Sequence, residues 1–216
     1  MSSKLYFYYG TMSSAKTLNL LASAHSFDSN DIEVLCLKPA TDTRDGIGTI
    51  KSRAGLERSC IMIDEDSNVY IPIEEYASSL SKNNKRLGWV LIDEAQFLTE
   101  EQVDQLSDVV DNLDINVVCY GLRTDFKTKM FPGAKRLFEL ADTIEEIKLI
   151  CQCGRHKAIV NARVDDNGNI VHDGEQVLIG GDESYRPLCR RCWKSMKIFQ
   201  QINDTNTKHL NSKMFY

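Results

Sequence analysis

The stretch Gly10-Thr11-Met12-Ser13-Ser14-Ala15-Lys16-Thr17 follows the strand-like run Lys4 to Tyr9 and opens the helical run Lys16 to Ser26. A glycine-led loop between a strand and a helix gathers successive backbone N–H groups around an anion, and the helix dipole adds positive potential there. In such a cradle Lys16 supplies a point charge for the outer phosphates and the Thr17 hydroxyl holds Mg2+. Ala15 stands where the common pattern has Gly. If that position requires a positive φ, its Cβ costs roughly 1 kcal/mol; if it requires only a small residue, Ala fits.

The surrounding pattern supplies the context that such a loop needs. Short apolar runs at Lys4 to Tyr9, Glu33 to Lys38, Trp89 to Asp93, Ile115 to Tyr120 and Thr143 to Leu149 alternate with helical stretches. Runs without strict alternation suit strands buried on both faces, so the fold class is α/β: a mainly parallel, phosphate-loop type sheet flanked by helices. The clearest covering helix is Glu100 to Leu113, with Thr99 as its N-cap and Val103, Leu106, Val109, Val110 and Leu113 along one face. Gly88-Trp89-Val90-Leu91-Ile92-Asp93-Glu94 reads as a buried strand ending in two acids, where such a fold places its magnesium carboxylate. Asp93 then orients the ion, and Glu94 lies where it can take a proton from a nucleophile. Water would make the protein an ATPase, and a substrate hydroxyl would make it a kinase; the two motifs leave both open. A GTPase is set aside, because Asn84-Lys85 continues as Arg86-Leu87 and lacks the guanine-reading Asp.

With 216 residues and 42% hydrophobic content, the chain has room for one α/β domain and a small appendage. No apolar run approaches a membrane span and no secretion leader is read, so the expectation is a cytoplasmic protein without a membrane partner. The net charge of −5 gives no general reason to seek a nucleic-acid partner. The basic group Arg186, Arg190, Arg191, Lys194 and Lys197 reads as the solvated face of a late helix.

Seven cysteines without a secretion signal argue against a disulfide framework. Cys36 and Cys119 lie inside apolar runs and read as core, and Cys60 has no evident role. Cys151 and Cys153, with Cys189 and Cys192, bracket a polar segment holding the hairpin-turn signal Asp165-Asp166-Asn167-Gly168-Asn169. Two thiolate pairs at the ends of one module suit a tetrahedral, structural Zn2+, with His156 as an alternative ligand because the first pair has a one-residue spacer. The division expected is 1–150 for the phosphate-loop domain, 151–192 for a metal-anchored lid, and 193–216 for a C-terminal helix and flexible tail. Ala158 to Val164 and Gln176 to Ile179 are the expected arms of the lid's β-ribbon. A lid has a use in a kinase, since closure keeps water from the γ-phosphate.

These motifs together resemble the thymidine kinases of the phosphate-loop, zinc-lasso type, especially the bacterial members. The resemblance is carried by Gly10 to Thr17, by Lys38 through Asp42-Thr43-Arg44, by Asp93-Glu94-Ala95-Gln96-Phe97, by Tyr120 to Phe126, and by Ile179-Gly180-Gly181 with Tyr185 between the cysteine pairs. It implies transfer of the ATP γ-phosphate to the 5'-hydroxyl of thymidine, with Glu94 as catalytic base. It further implies ATP and Mg2+ binding by Gly10, Thr11, Met12, Ser13, Ser14, Ala15, Lys16, Thr17, Asp93, Glu94, Ala95 and Gln96. Met12, Phe97, Leu122 and Phe126 match the pocket around the base, and Asp42 and Arg44 the contacts to sugar or phosphates. Tyr185 and the backbone near Gln176 and Leu178 match the lasso's hold on the nucleoside. Cys151, Cys153, Cys189 and Cys192 match the zinc site, and the one-residue spacer belongs to the bacterial pattern. A homotetramer and feedback inhibition by dTTP are expected from the same resemblance.

Overall fold

In the computed structural model, residues 2–43, 46–176 and 184–196 are described. The first strand, β1 (Leu5–Gly10), leads through the glycine loop into α1 (Lys16–Asp28), which runs two residues beyond the expected end. Next come β2 (Glu33–Pro39), a small antiparallel hairpin of β3 (Thr49–Lys51) and β4 (Glu57–Ser59), the short β5 (Ile61–Ile63), and α2 (Tyr70–Ser81). The acidic strand β6 (Leu87–Ile92) ends before Asp93, and a single 3-10 turn, Ala95–Phe97, precedes α3 (Glu100–Leu113). Then follow β7 (Asn116–Gly121), α4 (Pro132–Leu140) and β8 (Thr143–Ile147).

The six main strands form one sheet in the order β5-β2-β6-β7-β1-β8, with every neighbouring pair parallel. Side chains alternate across it with the two-residue period of extended chain. Leu35, Leu37, Val90, Ile92, Val117 and Cys119 pack toward α2, α3 and α4. Val34, Cys36, Leu91, Val118 and Tyr120 pack on the opposite face with Leu20, Leu21 and Ala24 of α1. Burial on both faces is why the strands read as continuous apolar runs. Cys36 and Cys119 are core residues, as expected.

Helix α3 occupies the expected span, and its start is set by chemistry within one turn. Thr99 Oγ1 accepts from the Gln102 N–H at 3.1 Å, and Gln102 Oε1 accepts from the Thr99 N–H at 3.1 Å, a reciprocal capping box. Among the described residues, no helix is long and apolar enough to cross a membrane.

Beyond residue 150 a separate apolar cluster of Cys151, Ala158, Val160, Ala162, Leu188 and Cys189 carries a two-stranded antiparallel ribbon. Its strands are β9 (Val160–Arg163) and β10 (Tyr185–Leu188). The described ribbon uses a second strand that the sequence reading did not offer. The partner of β9 is β10, whereas Gln176 lies in a bend and residues 177–179 lie outside the described residues. The hairpin turn at Asp165 to Asn169 is present: the Asp165 N–H donates to the Asn169 carbonyl at 2.9 Å, and the Gly168 N–H to the Asp165 carbonyl at 2.9 Å. Arg186 also departs from expectation, since it belongs to β10, while Arg190, Arg191 and Lys194 lie on the helical stretch that follows.

Candidate active site

The loop after β1 requires a glycine at its first position. A Cβ on Gly10 would fall 2.3 Å from Ser14 Oγ and 2.7 Å from the Ile147 carbonyl, so any side chain there would push the cradle open. Ala15 is the N-cap of α1 at φ 63° and ψ 27°, the left-handed conformation in which a Cβ is disfavoured. The structure thus decides the question raised by the missing Gly: Ala15 carries the steric cost. Ser13 (φ 62°) and Glu94 (φ 51°) share that region, so three residues around one cleft hold unfavourable backbone conformations, as functional sites often do.

The strand order separates the cradle strand from the acidic strand by β7 alone, which brings their carboxyl ends to the same edge of the sheet. Thr17 Oγ1 donates to Asp93 Oδ2 at 2.9 Å, and Lys16 Nζ donates to the Thr11 carbonyl at 2.8 Å. Asp93 Oδ1, Thr11 Oγ1 and Ser14 Oγ are buried without a hydrogen-bond partner. Two buried polar atoms of the loop and one of the acid bonded to Thr17 are what a magnesium-bound polyphosphate would satisfy, so these residues fit the groups that the sequence implied. Burial pushes the Asp93 carboxyl up to about 7, with the neighbouring Glu94 charge adding to it; Thr17 and Lys16 oppose both.

Glu94 and Lys16 line a single cleft of about 520 Å³. Met12, Ser13, Ala15 and Thr17 share this wall with Gln96, and Asp42, Phe97, Leu122, Phe126, Gln176 and Tyr185 line the remainder. Gln96 holds the Glu94 carboxylate: its Nε2 donates to Glu94 Oε2 at 2.6 Å while its Oε1 accepts from the Leu122 N–H at 2.8 Å. Ala95 is buried beneath it. Phe97 packs edge-on against Phe131 at 5.7 Å between ring centroids, giving the cleft an aromatic side. Asp42 is buried and paired with Lys38 at 3.1 Å, which lets a carboxylate sit in an apolar wall. Gln176 Nε2 donates to Asp125 Oδ2 at 3.0 Å, tying the ribbon side of the cleft to the loop after β7. Arg44 and Leu178 lie outside the described residues.

At the base of the ribbon, the four Sγ atoms of Cys151, Cys153, Cys189 and Cys192 all lie within 4.8 Å of one another, and the Cys153 and Cys189 sulfurs are 4.0 Å apart. A tetrahedron with metal–sulfur bonds near 2.3 Å has edges of about 3.8 Å, so the cluster suits a metal ion. His156, the alternative ligand, is exposed and outside this group. The backbone N–H of Arg155 pulls the Cys153 thiol down while the neighbouring thiols push Cys192 up, so the four sulfurs share protons that a bound metal would displace.

A family model described as thymidine kinase matches residues 3–193. The chain belongs to the thymidine kinase family. It is 46% identical over 213 residues to a thymidine kinase of Legionella pneumophila strain Paris, covering 94% of this chain and 99% of that one. A thymidine kinase of Mannheimia succiniciproducens is 46% identical over 187 residues, covering 87% and 93% of the two chains. One from Rhodopirellula baltica is 44% identical over 204 residues, covering 93% and 92%. The resemblance to bacterial thymidine kinases is therefore borne out.

Several cleft residues escaped sequence reasoning. Asn161 Oδ1 accepts from the Met12 N–H at 2.8 Å and its Nδ2 donates to the Thr124 carbonyl at 3.2 Å, so one ribbon side chain clamps the phosphate loop to the opposite wall. Arg53, at the turn between β3 and β4, donates to Ser13 Oγ at 3.1 Å. Arg163 stands two residues from Asn161 on the same face of β9. The two-residue spacing of polar side chains in an otherwise apolar strand was the available signal for both ribbon residues.

Proposed function

We propose that the protein transfers the γ-phosphate of ATP to the 5'-hydroxyl of thymidine, giving thymidine monophosphate and ADP. The observation that carries this reading is the cleft shared by Lys16 and Glu94, which Phe97, Phe126 and Tyr185 also line. Gly10 to Thr17 cradle the phosphates, and Lys16 places a cation by the outer ones. Mg2+ entering with ATP would neutralise phosphate charge, with Thr17 and Asp93 as the residues that hold it. Glu94, held by Gln96, accepts the proton of the 5'-hydroxyl as its oxygen bonds to phosphorus and the bond to the ADP oxygen breaks. Most of the acceleration comes from alignment and charge stabilisation in a cleft shielded from water.

The base pocket is assigned to Met12, Phe97, Leu122 and Phe126, and the sugar side to Asp42 and Arg44. We assign the hold on the pyrimidine to Tyr185 and to the backbone at Gln176 and Leu178, since its edge of acceptor, donor and acceptor suits backbone N–H and C=O groups. The cysteine quartet holds a structural Zn2+, closed by four sulfurs and so without an open position for catalysis. We assign 1–150 to the nucleotide-binding domain and 151–192 to the lasso; of the C-terminal helix and tail expected at 193–216, residues 197–216 lie outside the described residues. dTTP has the base for one compartment and the phosphates for the other, so it would block both at once. By family analogy the enzyme is a cytoplasmic homotetramer.

The test is Glu94→Gln assayed with labelled thymidine, ATP and Mg2+. Both substrates should still bind while kcat falls by a factor of about 10²–10⁴. Near-normal turnover would remove Glu94 from its role, and phosphate release without any nucleoside would favour an ATPase.

A further inference from the structure

Arg163 is 6% exposed, and its hydrogen bonds among the described residues go to a phenol and to carbonyls. Its Nε and Nη2 donate to the Tyr185 hydroxyl oxygen at 3.0 and 2.5 Å. Its Nη1 donates to the Glu175 carbonyl at 2.9 Å, and Nη2 also reaches the Gln176 carbonyl at 3.4 Å. The guanidinium carbon lies 3.8 Å from the centre of the Phe126 ring and 5.2 Å from that of Tyr185. Only a planar, five-donor cation can stack on one ring while forking onto a phenol and two carbonyls; a lysine ammonium cannot.

Phe126, Gln176 and Tyr185 come from three different parts of the chain and line the same cleft. One side chain on β9 therefore sets their mutual distance. It also sets the chemistry of the phenol. A hydroxyl oxygen has two lone pairs and one hydrogen. Both lone pairs of Tyr185 face N–H donors of Arg163, which leaves the O–H hydrogen as the group Tyr185 can offer a ligand.

We infer that Arg163 is a specificity-determining positioning residue of the nucleoside compartment, which makes the Tyr185 hydroxyl an obligate donor to an acceptor oxygen of the bound nucleoside. The inference rests on the thymidine kinase reading but assigns a residue and a donor direction that the reading lacks. Asn161, its neighbour on the strand, faces the phosphate loop and serves as the internal contrast.

The experiment measures KM for thymidine and for ATP, kcat, and thymidine binding by calorimetry in Arg163→Lys, Arg163→Met, Tyr185→Phe and the double variant Arg163→Met/Tyr185→Phe. Arg163→Lys and Arg163→Met should raise the thymidine KM and Kd by 10-fold or more and leave the ATP KM within about twofold. Because Arg163 acts through the phenol, Arg163→Met should add at least fivefold less in the Tyr185→Phe background than in the wild type. Asn161→Ala should show the reverse split, with the ATP KM rising more than the thymidine KM. Full rescue by Lys, independent multiplication of the two single effects, or equal changes in both KM values would overturn the inference. The lysine and phenylalanine variants keep most of the packing and provide the comparison should Arg163→Met fail to fold. Failure of the wild type to phosphorylate thymidine would sink the underlying reading instead, a separately visible result.

Discussion

Replacing Asp93 by Asn should abolish activity and yet stabilise the ligand-free protein, by an amount that depends on pH. In the fold, burial raises this carboxyl from its ordinary 3.8 to about 7, with Glu94 adding to the effect. Between those values the native state retains a proton that the unfolded chain has released. Stability from this group is therefore fully present below about pH 4 and lost as pH rises through about 7. At 1.36 kcal/mol per unit, the gap sets a ceiling of about 4 kcal/mol of destabilisation at pH 8. Asn escapes that penalty but leaves an amide N–H₂ where Oδ1 now lacks a partner, a cost of about 2 kcal/mol. The net gain at pH 8 is about 2 kcal/mol, or roughly 4–8 °C in Tm for a chain of this size. Near pH 5 most of the wild-type penalty is gone and the two proteins should melt within about 2 °C of each other. The assay is thermal melting of both proteins across that range, without nucleotide. Any proton uptake at the cysteines affects both and cancels in the difference. A variant that melts no higher at pH 8, or by the same margin at both pH values, would refute the account. Mg2+ and ATP should reverse the order, since ligand at 100 times its Kd adds about 2.7 kcal/mol to the protein that binds it.

Ala15→Gly should relieve the left-handed strain at the start of α1 and raise stability by up to about 1 kcal/mol, read as a denaturation midpoint shift at constant m value. Gly121→Ala should do the opposite, because the new Cβ would lie 2.8 Å from Gln96 Oε1 and 3.0 Å from its backbone N. Displacing Gln96 frees Glu94, so kcat should fall at least 10-fold with about 1–3 kcal/mol of stability, measured by steady-state kinetics and chemical denaturation. Cys189→Ser should reduce bound metal well below one ion per chain by elemental analysis and raise the KM for both thymidine and ATP, since the ribbon carries Arg163 behind Tyr185 and Asn161 against the phosphate loop.

The features legible in the sequence are those whose chemistry sits in one continuous stretch. The cradle, the acidic strand end, the capping box at Thr99 and the turn at Asp165 each draw their geometry from a few adjacent residues, so local rules suffice. The spacing of Arg163 and Asn161 was a signal, but their roles were not legible because their partners are Tyr185, Phe126, Met12 and Thr124, which only the register of β9 brings within reach. The pairing of β9 with β10 was missed for a related reason. The apolar run beginning at Gln176 has stronger strand chemistry than Tyr185 to Leu188, which contains Pro187, but a two-stranded ribbon is all edge and tolerates a proline. The helix face of α3 was read correctly because one side packs on the sheet and the other meets water, a contrast that the isolated ribbon lacks.

The same comparison explains why the site looks poorly made when taken as part of a stable fold. Ser13, Ala15 and Glu94 occupy left-handed backbone conformations, and Thr11 Oγ1, Ser14 Oγ and Asp93 Oδ1 are buried without partners. Each departure costs on the order of 1 kcal/mol or more in the empty protein. All six residues belong to the two turns that end β1 and β6, while the sheet core beneath them is close to fully buried. A fold under selection for stability alone would have Gly at position 15 and an amide or apolar residue at position 93. Nothing in the structure explains Ala15 in place of Gly, whereas Asp93, Thr11 and Ser14 make sense where a polyanion and its metal would complete the hydrogen bonding.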